Sequence, residues 1–234
     1  MRQIFLDTET TGLSAEGGDR IVEIGCVEMV GRRLTGDNRH FYLNPQRPSH
    51  PDALRVHGLT DEFLSDKPLF ATVAEELLSY LAGAELVIHN AAFDVAFLDK
   101  ELQRCGRPGV AGKVAQITDS LLMARELYPG KSNSLDALCK RLEVDNSNRT
   151  LHGALLDAGL LAEVYICMTR GQGSLVIDEG DTLDTGVSVE LVDLSTFELP
   201  MPLPSDEELG VHRAVLADIA KASRGKLLWQ ADLA

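Results

Sequence analysis

Residues 2–12 read RQIFLDTETTG, and the rest of the fold is reached by working outward from them. The run RQIFLD (2–7) is short, apolar and bounded by an acid, which predicts a buried strand. Ile21–Val30 (IVEIGCVEMV) predicts a second strand enriched in β-branched residues. Gly31-Arg32 reads as a hairpin turn into a third strand ending near Leu43, where Asn44-Pro45 and Pro48 break the pattern. Thr72–Leu81 predicts a helix with Val73, Leu77, Leu78 and Leu81 on one face, and Glu85–His89 a short apolar strand. Phe93–Cys105 follows as a helix closed by Gly106 and Pro108. Asp119–Leu127 and Ser134–Leu142 are further helices, the second capped by Asn133 or Ser134. Gly153–Met168 is the last strong helix before Gly171 and Gly173. Antiparallel strands followed by alternating helices and strands define an α/β domain over residues 1–170, a mixed sheet with flanking helices.

The composition admits one large domain or one domain with an appendage: 234 residues, 44% hydrophobic and 25% charged. No run of about 18 apolar residues occurs, so no membrane span is expected. The N-terminal MRQIFLDTET lacks a basic region followed by a long apolar stretch, so no secretory signal is read there. Cys26, Cys105, Cys139 and Cys167 are widely spaced and form no CxxC pair. Reduced thiols in a cytoplasm fit that spacing better than a zinc knuckle or a disulfide framework. The formal charge is −14, which argues against a free-standing binder of phosphate backbones. Residues 171–234 hold 4 basic and 12 acidic residues and therefore carry −8 of that charge. A protein of this charge handles nucleic acid only if cations or a partner offset the repulsion.

The tail differs in kind. Residues 171–204 read as a linker rich in Gly, Ser, Thr and acid, in which Val187–Leu194 is either a strand or a sticky connector. Pro200, Pro202 and Pro204 form a stiff spacer. In 205–234, Ser205 and Glu208 match a capping box that opens a short amphipathic helix with Leu209, Val215, Leu216 and Ile219. That helix is expected to end at Gly225, before Leu227, Leu228 and Trp229.

Chemistry concentrates in acids. Asp7 and Glu9 stand two apart at a strand end, so both carboxylates share one face where the sheet stops. They repel unless a cation sits between them. Thr10, Thr11 and Gly12 follow, and TG permits close approach of backbone to a ligand. Asp94 falls in the first turn of its helix, a position that dipole complementarity alone would explain. His152 and Asp157 are five residues apart, about 500° of helix, so one regular helix cannot aim both at one site. His152 is therefore expected on the segment before the helix and Asp157 in its first turns.

DTETTG (7–12), HNAAFD (89–94) and HGALLD (152–157), in that order, resemble the three motifs of the DnaQ-like (DEDDh) 3′–5′ exonucleases. VHGLTDEFLSDKP (56–68), TDSLLMAR (118–125) and NSLDALC (133–139) are similar to the branch of proofreading epsilon subunits of bacterial DNA polymerase III. The resemblance spans residues 2–170, with a looser echo in the tail. It implies a ribonuclease H-like exonuclease fold with a five-stranded mixed sheet. It also implies hydrolysis of 3′-terminal nucleotides by a two-metal mechanism using Mg²⁺ or Mn²⁺.

By that resemblance Asp7, Glu9, Asp94 and Asp157 hold the metals, Asp7 bridges both ions, and His152 is the general base. Hard oxygen ligands suit those ions. Metal binding should then stabilise a fold that otherwise holds four repelling carboxylates. Thr10 and Leu13 are placed to touch the terminal nucleotide, and Asp52 and His57 match residues that meet it in the family. Asn90 and Phe93 either line the same groove or serve as helix cap and core. Asp7, Glu9 and Asp157 belong to the substrate contacts as well. With 12 aromatics in the chain, a site of two or three nucleotides is expected, with no long stacking channel.

The function so implied is removal of mispaired 3′ ends in a replicative polymerase, with a DNA 3′ end as substrate. The expected partner is the polymerase alpha subunit, bound through 205–234, and the resemblance leaves room for a small theta-like subunit. Gln172–Ile177 (QGSLVI) is similar to a sliding-clamp peptide, with an aliphatic in place of the usual final aromatic, so a clamp contact through it would be weak. The alternative enzyme is a free-acting 3′-end trimming exonuclease of the RNase T or oligoribonuclease kind, which needs no 64-residue tail. An interaction subunit with an incidental site is the third reading, and the presence of all five motif residues disfavours it.

Overall fold

In a computed structural model of the chain, residues 1–147, 151–170 and 204–223 are described. The chain divides into two compact units, Met1–Ile177 and Asp178–Ala234.

In the first unit, β1 (Arg2–Thr10) lies at the centre of the sheet. It pairs antiparallel with β2 (Ile21–Val30) on one side and parallel with β5 (Glu85–Ile88) on the other. β6 (Gln116–Asp119) extends the parallel edge beside β5. The antiparallel edge is split: β3 (Arg33–Leu34) and β4 (Arg39–Tyr42) both pair with β2, one after the other. The sheet thus has the expected five rows, with its third row in two pieces. Period-two alternation sends Ile4 and Leu6 to one face and Phe5 to the other. The first face packs under α3 (Phe70–Leu81) and α4 (Ala91–Arg104), through Leu77, Leu81, Phe97 and Leu102. The second packs under α6 (Leu135–Leu142) and α7 (Ala154–Met168), through Leu138, Leu161, Val164 and Tyr165. β1 is buried on both faces because both layers need it.

Several boundaries shift from the sequence reading. The helix expected from Thr72 starts at Phe70, whose buried ring belongs to the core. α5 (Ser120–Leu127) starts one residue late because Asp119 is its cap, and Ser134 caps α6. The segment after Asn44-Pro45 holds two short helices that the sequence reading lacked, α1 (Pro51–His57) and α2 (Asp61–Leu64). Pro at the first position and Gly58 in the left-handed C-cap mark the ends of α1, a signal present in the sequence but too brief for periodicity to show.

At Gly25, paired with Asp7 across β1 and β2, the first residues of α7 rest directly on the strand. A side chain there would overlap the backbone of Ala154 and Leu155. This glycine brings the start of α7 down onto the first acid.

In the second unit, α8 (Asp206–Ala222) runs 17 residues and ends before Gly225. Both halves of the Ser205/Glu208 capping box form: Glu208 N donates to Ser205 Oγ (3.3 Å) and Ser205 N donates to Glu208 Oε2 (2.8 Å). Gln172–Ile177, Val187–Leu194, Pro200, Pro202 and Trp229 lie outside the described residues. Among the described residues no helix is long and apolar enough to cross a membrane.

Candidate active site

β1 lies between an antiparallel neighbour and a parallel one, and the acids gather at its C-terminal end. Asp7 and Glu9 are half-buried and share the sheet face of Phe5, toward α7. Thr8, between them, faces α4 and donates from Oγ1 to Asp94 Oδ1 at 2.7 Å. Asp94 sits in the first turn of α4, and Asp157 in the first turn of α7; both are buried at 3% exposure. His152 precedes α7, on the segment where the spacing argument placed it. Its backbone N–H donates to Val56 O (3.1 Å), which ties that segment to α1.

The His152 ring reaches the acids: Nδ1 lies 3.2 Å from Asp157 Oδ2. Ligand atoms of Glu9, His152 and Asp157 lie within 4.8 Å of one another, a spacing that suits a cation. Asp7, Glu9, Asp94, His152 and Asp157 all line one cavity of about 530 Å³. Burial pushes the Asp94 carboxyl up to about 7, against the opposing hydrogen bond from Thr8. The carboxylate oxygens that line this cavity are hard donors of the kind that suit Mg²⁺ or Mn²⁺, and His152 adds an imidazole beside them.

A second cavity of about 600 Å³ opens on the other side of Glu9 and is mostly apolar. Thr10, Leu13, Asp52, His57 and Phe93 line it, together with His50, Pro51 and Val56. Leu13 stands 88% exposed at its rim, an unusual position for a large apolar side chain. His57 is buried; its Nδ1 accepts from Leu59 N (2.9 Å), and burial pushes its pKa down, so the ring is neutral. Its Nε2 is buried without a hydrogen-bond partner among the described residues. Asp52 is exposed and pairs with Arg55. Thr10 spends its hydroxyl on Gly12 O (2.6 Å). Phe93 faces both cavities and also packs on Phe97 at 4.9 Å, so groove and core share it.

Of the two roles left open for Asn90, the side chain makes no cap hydrogen bond; Asn90 sits left-handed at φ 68° and exposed, on the rim of the first cavity. Asp119 does the capping: it accepts from Asn90 N (3.2 Å) and Ala91 N (3.0 Å) of α4, and from Leu121 N (2.8 Å) and Leu122 N (3.3 Å) of α5. Gly12 borders the second cavity, while the space a side chain there would take is filled by Asp19 and His50. Asp19 accepts from Thr11 Oγ1 (3.2 Å) and Ser14 N (3.0 Å) and so braces the loop that presents Leu13.

Sequence reasoning missed Thr8, Asp119 and the wall formed by Pro51 and Val56. Only Asp119 carried a signal, as an Asp directly before an apolar helical run.

Residues 4–165 match the family model described as Exonuclease (RNase_T). The chain is 50% identical to the DNA polymerase III subunit epsilon of Pasteurella multocida, covering 100% of this chain and 95% of that protein. It is 50% identical to the Escherichia coli K12 subunit, covering 98% of each. Exonuclease X, solved with 5′-overhanging duplex DNA, superposes with a TM-score of 0.56 at 27% identity, covering 73% of this chain and 93% of that one. The nuclease domain of 3′hExo, a DEDDh family member solved with rAMP, shares the fold, with a TM-score of 0.61 at 18% identity over 72% of this chain and 92% of that one. With the exonuclease model matched over the whole first unit apart from its ends, and half the residues shared with epsilon subunits along nearly the full length, the chain belongs to the DNA polymerase III epsilon family of 3′–5′ exonucleases.

Proposed function

We propose that this chain removes mispaired 3′-terminal nucleotides from DNA during synthesis, releasing nucleoside 5′-monophosphates. The observation that carries the reading is the meeting of Asp7, Glu9, Asp94, His152 and Asp157 in one cavity beside an apolar pocket rimmed by Leu13. Asp7, Glu9, Asp94 and Asp157 would hold two ions, Mg²⁺ or Mn²⁺, which supply charge to neutralise the scissile phosphate and a Lewis acid for the attacking water. His152 takes the proton from that water, its ring steadied by Asp157 at 3.2 Å. Thr8 keeps the Asp94 carboxyl oriented. The terminal nucleoside enters the apolar pocket against Phe93, with Leu13 beside its base and His57, Asp52, Thr10 and Asn90 bordering it. A mispaired end frays more readily than a paired one, so a pocket that accepts only an unstacked nucleotide discriminates without reading sequence.

Residues 1–170 form the exonuclease domain in this reading, 171–204 the linker and 205–234 the segment that binds the polymerase alpha subunit. α8 supports that assignment, since none of its side chains is buried and Val211, Val215 and Ile219 stand exposed along one stripe. A theta-like subunit on the exonuclease domain and a weak sliding-clamp contact through Gln172–Ile177 complete the proposed assembly, in the cytoplasm.

The test is digestion of a 5′-labelled strand, single-stranded or with a mispaired 3′ end in duplex, with Mg²⁺ or Mn²⁺ and with EDTA. A ladder shortening from the 3′ end, faster on the mispaired duplex and abolished by EDTA, is expected. Internal cuts, or equal rates on paired and mispaired ends, would overturn the reading.

A further inference from the structure

Among the described side chains lining the catalytic cavity, Arg125 alone carries a permanent positive charge, against the carboxylates of Asp7, Glu9, Asp94, Asp136 and Asp157. Arg2, Arg20, Arg39, Arg47, Arg55, Arg104 and Arg107 each pair with an acid. Arg125 pairs with none among the described residues, although five acids share its cavity. It is exposed on the last turn of α5, one helical turn beyond Leu121, which lines the same cavity. Burial holds the neighbouring His89 low and therefore neutral, and Arg125 adds to that effect. The Asn133 side chain is engaged by Tyr128 O (3.3 Å) and Arg141 (3.1 Å).

The helix that carries Arg125 is fixed relative to the acids. Asp119 binds the first amides of both α4 and α5, so the helix bearing Arg125 is tied to the helix bearing Asp94. A nucleic-acid strand approaching a chain of net charge −14 meets repulsion, and a planar cationic fork on the cavity wall offsets it where the strand arrives.

We infer that Arg125 holds a phosphodiester of the substrate strand in the catalytic cavity. This rests on the exonuclease reading and adds a substrate-binding group to it. The group bound is either the scissile phosphate or the next one upstream, and the two are separable by experiment.

The full-length chain and its Arg125→Ala, Arg125→Gln and Arg125→Lys variants would be compared on a single-stranded oligonucleotide and on the 4-nitrophenyl ester of thymidine 5′-monophosphate. The ester carries only the phosphate to be cleaved. Arg125→Ala and Arg125→Gln are expected to raise KM on the oligonucleotide about tenfold, with kcat within about threefold of wild type. The slope of log KM against log salt should fall by about 0.7, one phosphate contact on a single strand. Arg125→Lys should restore the salt slope and only part of KM, since it keeps the charge and loses the fork. A parallel rise in KM on the ester assigns the scissile phosphate; a rise on the oligonucleotide alone assigns the upstream one. If Arg125 merely complements the C-terminal end of α5, its removal lowers the melting temperature while KM and the salt slope stay put, and the inference is overturned. Loss of folding in one variant leaves the other two to decide. A wild-type chain inactive on both substrates overturns the exonuclease reading itself, an outcome visible without any variant.

Discussion

The two cavities that meet at Glu9 are built on opposite principles. One is lined by five carboxylates and gathers its chemistry from β1, α4 and the start of α7. The other is lined by Leu13, Pro51, Val56 and Phe93 and draws on a loop and the short helix α1. The first is expensive to assemble, because acids taken from water repel one another until cations arrive. The second costs little, and in the proposed function it would recognise a nucleoside by shape. Chemistry and recognition are therefore separable, and variants on the two sides should fail in different kinetic constants.

The sharpest break is expected on the acidic side. Asp7→Ala or Asp157→Ala should lower metal-dependent digestion beyond about 10⁴-fold, since each removes a ligand on which several kcal/mol of barrier lowering depend. The metal-free fold should be retained; activity within a few-fold of wild type would remove the assignment of metal ligands.

His152→Ala should cut kcat by roughly 10²–10⁴ with little change in metal affinity. A variant with kcat within a few-fold of wild type would remove His152 as the base.

Asp94 makes the same side visible in stability. Its folded carboxyl keeps a proton up to about pH 7, against an ordinary value of 3.8 when unfolded. Between those values the native state binds the extra proton, so the stability of the metal-stripped chain should fall as pH rises from about 4 to 7, by up to roughly 4 kcal/mol. Thermal melting with EDTA across that range checks it, and Asp94→Asn should flatten the slope. Stability that climbs over the same range would contradict the burial argument.

The smallest effect is expected across Glu9. Leu13→Ala should raise KM for an oligonucleotide about tenfold, roughly 1.4 kcal/mol of apolar contact, and leave kcat nearly intact. A kcat loss as large as that of His152→Ala would erase the distinction between the two cavities.

The same division governs what could be read from the chain. The acidic side was legible because its residues sit in short, ordered motifs on long elements: β1 by its apolar run, α4 and α7 by apolar stretches closed by Gly and Pro. Even the placement of His152 before α7 followed from helical angles alone. The apolar side was only half legible. Its residues were named through a family resemblance, while the helix that carries Asp52 and His57 spans seven residues and leaves no periodic trace. Asn90 stayed open between groove and cap for a related reason. An Asn before a helix is a good cap by propensity, yet tertiary structure supplied Asp119 from a distant strand and left Asn90 left-handed. Long-range hydrogen bonds of that kind leave no mark on local sequence.

Gly25 carries no chemistry, sits on a strand outside all three motifs, and nevertheless lies beneath the backbone of Ala154 and Leu155 and opposite Asp7. Any larger residue would lift the start of α7, and with it His152 and Asp157, away from β1. Such a lesion would leave every catalytic side chain in the sequence and still blunt the enzyme. In a cell relying on this chain, a screen for raised mutation rates should return position 25 alongside the acids. The accuracy of copying would then depend on the absence of a single methyl group.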